Sequence, residues 1–505
     1  MSGKRVVIIG GGIGGLFTGA LLSREGYRVT VLEKNATAGG GLQTFTRGGL
    51  TFETGMHILG GLRHGGSVYK ICNYLGIMDK IDIVDADHDC MDQIDYLDEG
   101  LTYRLPEGRE AFGRYLAERF PDERQGISDY LDAIYRIADE VDFFYLRPSS
   151  GGFKTYSEEF TMAADRLIEK YIGDARLREL LAYMNPMYGG VRGVTPAYVN
   201  ALINVLYIDG ASRFAGGSSQ LAAALCDVIA ASGGEVLTGQ EVTRLAIDSE
   251  RRACGVFTAS GGHFSGDIYV SAIHPSRLVD LADEGAFMRA YTRRMHSLPN
   301  TYSAFIVFVA LKPDSFPYIN HTCYCQDRFG SVWHLSEDDD RWPRGFMYMT
   351  PAERAQGPYA TKMIINCLLP YSAVAQWRDT TLGHRGREYE RWKERRAARV
   401  LNSMERLYSG FGDCVERVWT ASPLTIRDYY NQPEGSLYGI SKDCNNLMAS
   451  QIPVWTKVPN LYLTGQNINL HGICGVPLTA MLTSQAIIGD NSLTEKINHY
   501  HESYG

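Results

Sequence analysis

The feature that most constrains this chain is a short apolar strand followed at once by a glycine-rich turn. The stretch Lys4–Ile9 is rich in apolar, β-branched residues, which is typical of a buried parallel strand. The glycines after it have the spacing G-x-G-x-x-G, which allows a tight turn, close approach of backbone to a pyrophosphate, and packing of a helix on the strand. They are Gly10, Gly12 and Gly15, with Gly14 inside the motif. A helix predicted from about Gly14 to Arg24 would point its first N–H groups at the phosphates, so this end of the chain predicts a dinucleotide site.

A second predicted strand, Tyr27–Leu32, ends at the dipeptide Glu33-Lys34. An acidic residue about 20 positions after the glycines is placed to accept hydrogen bonds from a ribose hydroxyl. All the parts of a Rossmann-like unit follow one another in the expected order: a strand, the glycines, a helix, a second strand and the acidic residue. This order favours a Rossmann-like unit over an ordinary glycine turn. These residues alone do not distinguish NAD from FAD.

The far end of the chain carries a second strand, turn and helix pattern. Leu461–Leu463 predicts a strand, and Thr464-Gly465-Gln466-Asn467 predicts the turn after it. The run Gly472–Pro477 then begins a predicted helix. We expect this end to close over the ligand that the first end binds.

Two further stretches carry a family resemblance. Ala38–Phe45 contains the run Gly39-Gly40-Gly41-Leu42, and Phe52–Gly60 reads F-E-T-G-M-H-I-L-G. Together with both chain ends, and with Pro433–Gly439, they resemble the phytoene desaturase-like FAD-dependent oxidoreductases. The likeness is greatest to the retinol saturase and carotenoid isomerase branch of that family.

The resemblance implies FAD as the cofactor and an α/β fold: a Rossmann-like FAD-binding domain of the glutathione-reductase-2 type and a second, mixed α+β substrate domain. It also implies which residues bind the cofactor, with Val242 offering backbone groups beside the adenine. The predicted cofactor residues are Gly10, Gly12, Gly14, Gly15, Glu33, Lys34, Gly40, Gly41, Leu42, Gly55, Met56, His57, Val242, Gly465, Gln466, Gly475, Val476 and Pro477. Two positions depart from the family pattern: Glu53 and Asn467 each stand where an aspartate is usual.

The FAD domain is predicted to be discontinuous, built from residues 1–75, 205–290 and 455–505. Its middle piece contains a helix through Ala231, a strand at Glu235–Leu237 and another beginning at Glu241. Cys254–Thr258 and Asp267–Ser271 are predicted as strands of a small antiparallel layer. Residues 76–204 and 291–454 form the predicted substrate domain with its helical cap, including strands near Tyr302–Leu311, Phe346–Met349 and Met363–Leu369.

A flavin supplies the difficult chemistry in such proteins, while the protein positions the substrate and a proton donor. His57 and His471 are the predicted proton donors, and Cys474 and Tyr438 are weaker candidates. The alternative for each histidine is a purely structural role in a tight turn. The sequence leaves open whether a double bond is saturated, introduced or isomerised.

The predicted substrate is a long apolar molecule such as a polyene, retinoid or carotenoid. Residues 108–145 and 161–210 are rich in apolar and aromatic side chains, and Tyr183, Met184, Met187 and Tyr188 cluster before two glycines. Soft, adaptable side chains suit such a ligand. Core packing is the alternative explanation for the same residues.

Composition limits the partners that this chain is expected to have. Its 505 residues carry a net charge of −8, which argues against nucleic acid. Ten cysteines are scattered without a metal-ligand or disulfide pattern, so we expect reduced thiols, no metal and a cytoplasmic protein. The sequence contains no apolar run of about 18 residues, so we expect no membrane span. The basic segment Arg385–Arg399, with Tyr389 and Trp392, suggests either an ordinary exposed helix or a peripheral membrane contact.

Only one G-x-G-x-x-G motif occurs, so no second Rossmann domain for NADPH is expected. Electrons would come from a transient visit by NAD(P)H, from another carrier or from the substrate. Two rival functions share this fold: flavin amine oxidases, which often have arginine after the double glycine where this chain has Gly41-Leu42-Gln43, and the Rab GDP-dissociation inhibitors. The inhibitors bind prenylated proteins without redox chemistry and have lost the flavin site, whereas the glycines and Glu33 are intact here.

Overall fold

The computed structural model describes residues 3–148 and 155–504. The described residues contain twenty strands: β1 (Arg5–Ile9), β2 (Arg28–Leu32), β3 (Thr44–Arg47), β4 (Leu50–Glu53), β5 (Ile58–Gly60), β6 (Ile83–Asp85), β7 (Asp92–Tyr96), β8 (Leu101–Leu105), β9 (Ala211–Phe214), β10 (Glu235–Leu237), β11 (Val242–Ile247), β12 (Ala253–Thr258), β13 (His263–Phe264), β14 (Ile268–Ser271), β15 (Ser303–Leu311), β16 (Thr322–Gln326), β17 (Gly345–Met349), β18 (Lys362–Leu369), β19 (Val415–Ala421) and β20 (Leu461–Leu463).

They also contain seventeen α-helices: α1 (Ile13–Arg24), α2 (Ser67–Tyr74), α3 (Arg109–Arg119), α4 (Arg124–Asp139), α5 (Glu158–Thr161), α6 (Ala164–Tyr171), α7 (Ala175–Leu181), α8 (Ala197–Ile208), α9 (Ser219–Ala231), α10 (Pro275–Leu281), α11 (Arg289–Ser297), α12 (Arg387–Leu407), α13 (Phe411–Cys414), α14 (Pro423–Tyr430), α15 (Leu447–Ser450), α16 (Gly472–Ile488) and α17 (Ser492–Tyr504). None of these helices is both long enough and apolar enough to span a membrane.

A five-stranded parallel sheet forms the Rossmann-like domain, and its strand order is β10-β2-β1-β14-β20. Its central strand, β1, is buried from Val6 to Ile9, as expected of an apolar strand with a parallel neighbour on each side. The sheet takes strands from all three predicted pieces of the FAD domain. The fold class is confirmed, while the domain boundaries themselves stay a prediction.

One strand lies in a different sheet from the one predicted. β14 runs parallel to β1 and β20 inside the Rossmann-like sheet, pairing Ile268 with Val6, whereas we expected it in the small antiparallel layer. That layer consists of β11, β12 and β13. The run Ile268–Ser271 is buried on both faces, and this burial is typical of a parallel strand.

The substrate domain is built on a seven-stranded mixed sheet of order β19-β15-β18-β17-β16-β7-β8. On one face, alternate residues such as Phe305 and Ile365 pack with α12. On the opposite face, Ile306 and Ile364 pack toward the Rossmann-like domain. The sheet therefore separates a core beneath α12 from the space between the two domains.

Helix α12 contains the basic segment that suggested either a surface helix or a membrane contact. Its two aromatic residues, Tyr389 and Trp392, are buried and stack on each other at 6.0 Å between ring centroids. Trp392 also meets Phe305 of β15 edge-on. These aromatic residues belong to the core and are not available to a membrane surface.

Asn460 ties the last piece of the Rossmann-like domain to the middle piece. Its buried side chain donates from Nδ2 to the carbonyl oxygens of Ala253, at 2.9 Å, and Asp267, at 3.2 Å. Its Oδ1 accepts from the backbone N–H of Ala253 at 2.8 Å. One side chain thus connects the entry to β20 with the entries to β12 and β14.

We expect Asn460→Ala to lower the free energy of unfolding by about 1–3 kcal/mol, because it leaves buried backbone groups without partners. Urea unfolding followed by circular dichroism measures the change. Asn402→Ala on the exposed surface of α12 is the matched control, expected within about 0.5 kcal/mol of the parent. An equal decrease in the free energy of unfolding for both variants would show that the hydrogen bonds of Asn460 do not hold the pieces of the Rossmann-like domain together.

Candidate active site

A cavity of about 530 Å³ lies between the Rossmann-like sheet, the face of the seven-stranded sheet and helix α8. Its size is typical of a ligand site. The cavity is bordered by residues from both chain ends, among them Gly10, Gly12, Gly14, Glu33, Lys34, Gly40, Gly41, Leu42, Gly55, Met56, His57, Val242, Gly465, Gln466, Gly475 and Val476. It lies at the carboxyl ends of parallel strands, where open α/β sheets bind ligands.

The turn after β1 leaves an open space where a pyrophosphate would need it. A Cβ built on Gly12 would meet only the Cα of Gly40, at 3.9 Å, so the backbone faces the cavity unobstructed. Gly10 adopts a φ of +101°, which favours glycine. Gly15 does not border the cavity; a Cβ there would lie 2.0 Å from the Gly10 carbonyl oxygen, so its role is the packing of α1 on β1.

Glu33 is placed as a ribose acceptor would be. Its buried carboxylate accepts from the backbone N–H of Gly11 at 2.9 Å and from that of Asn35 at 2.8 Å. A carboxylate has about four acceptor positions, so these two bonds leave capacity for ribose hydroxyls. The backbone bonds fix the orientation of Glu33 before any ligand binds.

Lys34 connects the cofactor end of the cavity to the substrate domain. Its Nζ donates to the carbonyl oxygen of Asp428 on α14 at 2.6 Å. Burial is the largest influence on this amine and lowers its pKa. Nearby Thr54 donates to the carbonyl of Gly41 at 2.7 Å and lies 2.8 Å from the hydroxyl of Tyr430, so the double-glycine segment is also held against α14.

The second chain end reaches the cavity through the turn after β20 and the first residues of α16. Gly465, Gln466, Gly475 and Val476 border the cavity, whereas Pro477 is buried inside α16 and does not. Asn467 also lies away from the cavity, where its Oδ1 accepts from the backbone N–H of Ile440 at 3.1 Å. Asn467 therefore makes a structural hydrogen bond and does not border the cavity.

His57 borders the cavity and is held by a carboxylate. Its Nδ1 lies 3.1 Å from Oε1 of Glu53, and both side chains are largely buried. With Nδ1–H donated to Glu53, the other ring nitrogen, Nε2, has no partner among the described residues. A histidine fixed in this way presents one nitrogen for proton exchange.

His471 is held in a different state. Its Nε2 lies 3.2 Å from the carbonyl oxygen of Met187, and its ring packs at 4.7 Å from that of Tyr438. Burial lowers the pKa of His471 to about 4, so the ring is neutral at physiological pH and donates Nε2–H to that carbonyl. In this state it holds the Met187 loop and has no second proton to give.

The two weaker proton-donor candidates, unlike His471, have raised pKa values. Burial raises the pKa of the Cys474 thiol to about 12. Burial likewise raises the pKa of Tyr438, whose hydroxyl donates to the carbonyl of Pro186 at 2.5 Å. Both side chains border the cavity as neutral groups.

Helix α8 lies within the segment 161–210 that was predicted to contact substrate, and it contributes a cavity wall whose individual residues the sequence did not single out. Val199, Leu202, Ile203 and Leu206 recur at helical spacing and all border the cavity. The spacing i, i+3, i+4, i+7 was the available signal, but it does not distinguish a cavity wall from core packing. Of the cluster predicted to contact substrate, only Met187 borders the cavity.

The other members of that cluster are core residues. Tyr183, Met184 and Tyr188 are buried in the largest hydrophobic cluster described, and the hydroxyl of Tyr183 donates to Asp92 at 2.7 Å. No group of histidine, cysteine and acidic residues within the described ranges is arranged to hold a metal ion.

The fold is that of a two-domain flavoprotein, and residues from both ends of the chain border its cavity. A family model for flavin containing amine oxidoreductases matches residues 13–488, so the chain belongs to that family. FAD is therefore the cofactor, and the residues around the cavity suit it: the open backbone at Gly12 and the oriented carboxylate of Glu33.

Relatives and solved structures resemble this chain over most of its length. The chain is 27% identical to all-trans-retinol 13,14-reductase from Homo sapiens, covering 98% of this chain and 87% of that protein. It is 25% identical to 4,4'-diapolycopene oxygenase from Methylomonas sp, covering 96% of this chain and 98% of that protein. An oxidoreductase from Methanosarcina mazei superposes with a TM-score of 0.63 at 16% identity, covering 96% of this chain and all of that one. Putrescine oxidase superposes with a TM-score of 0.65 at 13% identity, covering 96% of this chain and 99% of that one. This similarity shows a shared fold.

We expect Glu33→Ala to weaken FAD binding tenfold or more, because charge-assisted hydrogen bonds are worth about 1.5–3 kcal/mol each. Fluorescence titration of the apoprotein with FAD measures the dissociation constant. Glu235→Ala, on β10 of the same sheet, removes an exposed carboxylate as a control. An unchanged dissociation constant for Glu33→Ala would exclude the ribose role.

Proposed function

We propose that this protein saturates, desaturates or isomerises a carbon–carbon double bond of an apolar polyene, with a retinoid or carotenoid-like skeleton. The observation that carries the proposal is the apolar wall of α8, from Val199 to Leu206. Phe144, Met187 and Leu437 extend the apolar lining. Apolar lining with few polar groups favours a substrate that is itself apolar. The retinol reductase and diapolycopene oxygenase among the relatives act on substrates of this kind by their names.

The alternative hypothesis, that the protein is an amine oxidase, has less support from the cavity. The acidic residues that border it, Glu33, Glu241 and Asp280, lie with the predicted cofactor residues. The α8 wall contains no carboxylate that could bind the ammonium group of an amine substrate. A lipid-binding protein without redox chemistry would not need the flavin that the family carries.

Bound FAD supplies the hydride exchange, and the chain's own residues supply positioning and a proton. The α8 wall excludes water from the space beside the cofactor residues. His57 holds a proton at Nε2 when its ring is doubly protonated, while Glu53 keeps Nδ1–H in place. Because His471 is neutral and its N–H is already donated, we assign proton exchange to His57 alone.

The source or destination of the electrons stays a prediction, with NAD(P)H or another carrier as a transient partner. Cytoplasmic location and peripheral contact with a membrane also stay predictions. Such a contact would give an apolar substrate a route from the lipid phase. Residues other than Tyr389 and Trp392 of α12 would have to make this membrane contact, because those two are buried.

The test of the proposed function is reoxidation of the bound flavin. The holoenzyme is reduced anaerobically and mixed with retinol, longer polyenes and enones, and the oxidised holoenzyme is mixed separately with small amines, while the flavin absorbance is followed. We expect at least one apolar alkene to reoxidise the reduced flavin and none of the amines to reduce the oxidised flavin. Reduction of the flavin by amines, with no reoxidation by any alkene, would overturn the proposal in favour of an amine oxidase.

We expect His57→Gln to slow this single-turnover step by about 10²-fold or more, since proton transfer from a positioned side chain contributes that much. Stopped-flow absorbance measures the rate. His384→Gln, at an exposed loop position, is the control and should react as the parent does. Unchanged rates for His57→Gln would remove it as the donor, and loss of FAD would assign it to cofactor binding.

A further inference from the structure

One polar side chain interrupts the apolar sheet face that roofs the cavity. On strand β18, Asn366 pairs with Ile306 of β15 and with Met347 of β17. Its neighbours on this face, Ile306 and Ile364, are buried apolar residues. Asn366 itself borders the cavity. An amide thus stands alone in an apolar row directed at the site.

The sequence of β18 makes this position unusual. The strand reads K-M-I-I-N-C-L-L and lies in the middle of the seven-stranded sheet. Asparagine is depleted in strands, where β-branched and aromatic residues are favoured. A residue that disagrees with its local structure is expected where function requires it.

The amide of Asn366 is not satisfied within the described part of the protein. Its Oδ1 is covered by protein atoms and has no hydrogen-bond partner there, while the side chain as a whole is partly exposed. A second amide with the same deficit, Gln432, also borders the cavity, and its Oε1 likewise lacks a partner. Native proteins leave few such groups unpaired, and each one calls for an explanation.

We propose that Asn366 binds an oxygen-bearing end of the substrate, so that the site prefers an apolar alcohol or carbonyl compound to a plain hydrocarbon. Because Oδ1 is covered, the part of the amide that can reach a ligand is Nδ2, which donates a hydrogen bond that a substrate hydroxyl or carbonyl oxygen accepts. A site that contains an unpaired buried polar group rejects an analogue lacking the matching oxygen more strongly than it rejects a small change in apolar size. This inference rests on the proposed function and adds the substrate class.

The test compares retinol with its deoxy analogue, in which a methyl group replaces CH₂OH. Each is titrated into the oxidised holoenzyme, and the change in the flavin spectrum gives a dissociation constant that does not depend on turnover. We expect the parent to bind retinol about tenfold or more tightly than the analogue. We expect Asn366→Leu to bring the two constants within about threefold. If that variant does not accumulate as folded holoenzyme, Asn366→Val replaces it with a residue suited to a strand.

Met347→Leu is the matched control, because it changes the same row of the sheet without changing its polarity. It should keep the preference of the parent. Equal binding of retinol and the analogue by the parent would overturn the role of Asn366 while leaving the proposed function standing. Loss of FAD from Asn366→Leu would also overturn it and assign the amide to the cofactor. Failure of both polyenes to bind would reject the proposed function, and this inference with it.

Discussion

The close contact between the backbones of Gly14 and Gly465 is the constraint on which the rest of the structure depends. A Cβ on Gly14 would lie 2.7 Å from the Cα of Gly465, so only glycine allows the first turn of α1 to meet the turn after β20. Beside this contact, the hydroxyls of Thr18 and Thr464 lie 2.9 Å apart. The meeting brings residues from both chain ends around one cavity, and the substrate domain forms its other side.

The cofactor half could be predicted from the sequence because its requirements are local. The spacing of Gly10, Gly12 and Gly15 follows from backbone geometry that few other residues allow, and the acid at Glu33 stands at a fixed distance along the chain from these glycines. The placement of β14 could not be predicted in the same way. Its run Ile268–Ser271 is equally compatible with either sheet, and only contacts with β1 and β20 decide between them.

The substrate half was harder to predict because burial, and not residue type, separates function from packing. His57 and His471 are alike in the sequence, yet one is bound to a carboxylate and the other to a carbonyl in a buried, neutral state. Tyr183 and Met184 have the composition of a ligand site but lie in the core. Asn366 carried a signal, an amide inside an apolar strand, whose meaning depends on the cavity beneath it.

The most direct measurement of the central claim, that the two chain ends together form the FAD site, is the affinity of Gly14→Val for FAD. Titration of the apoprotein, with circular dichroism to confirm folding, gives the dissociation constant. We expect the dissociation constant to rise tenfold or more, because the side chain would force the turn at Gly465 away. Gly357→Val, where a Cβ meets no atom within 4 Å, should bind FAD as the parent does. A folded Gly14→Val protein with unchanged affinity would show that FAD binding does not depend on the meeting of the two chain ends.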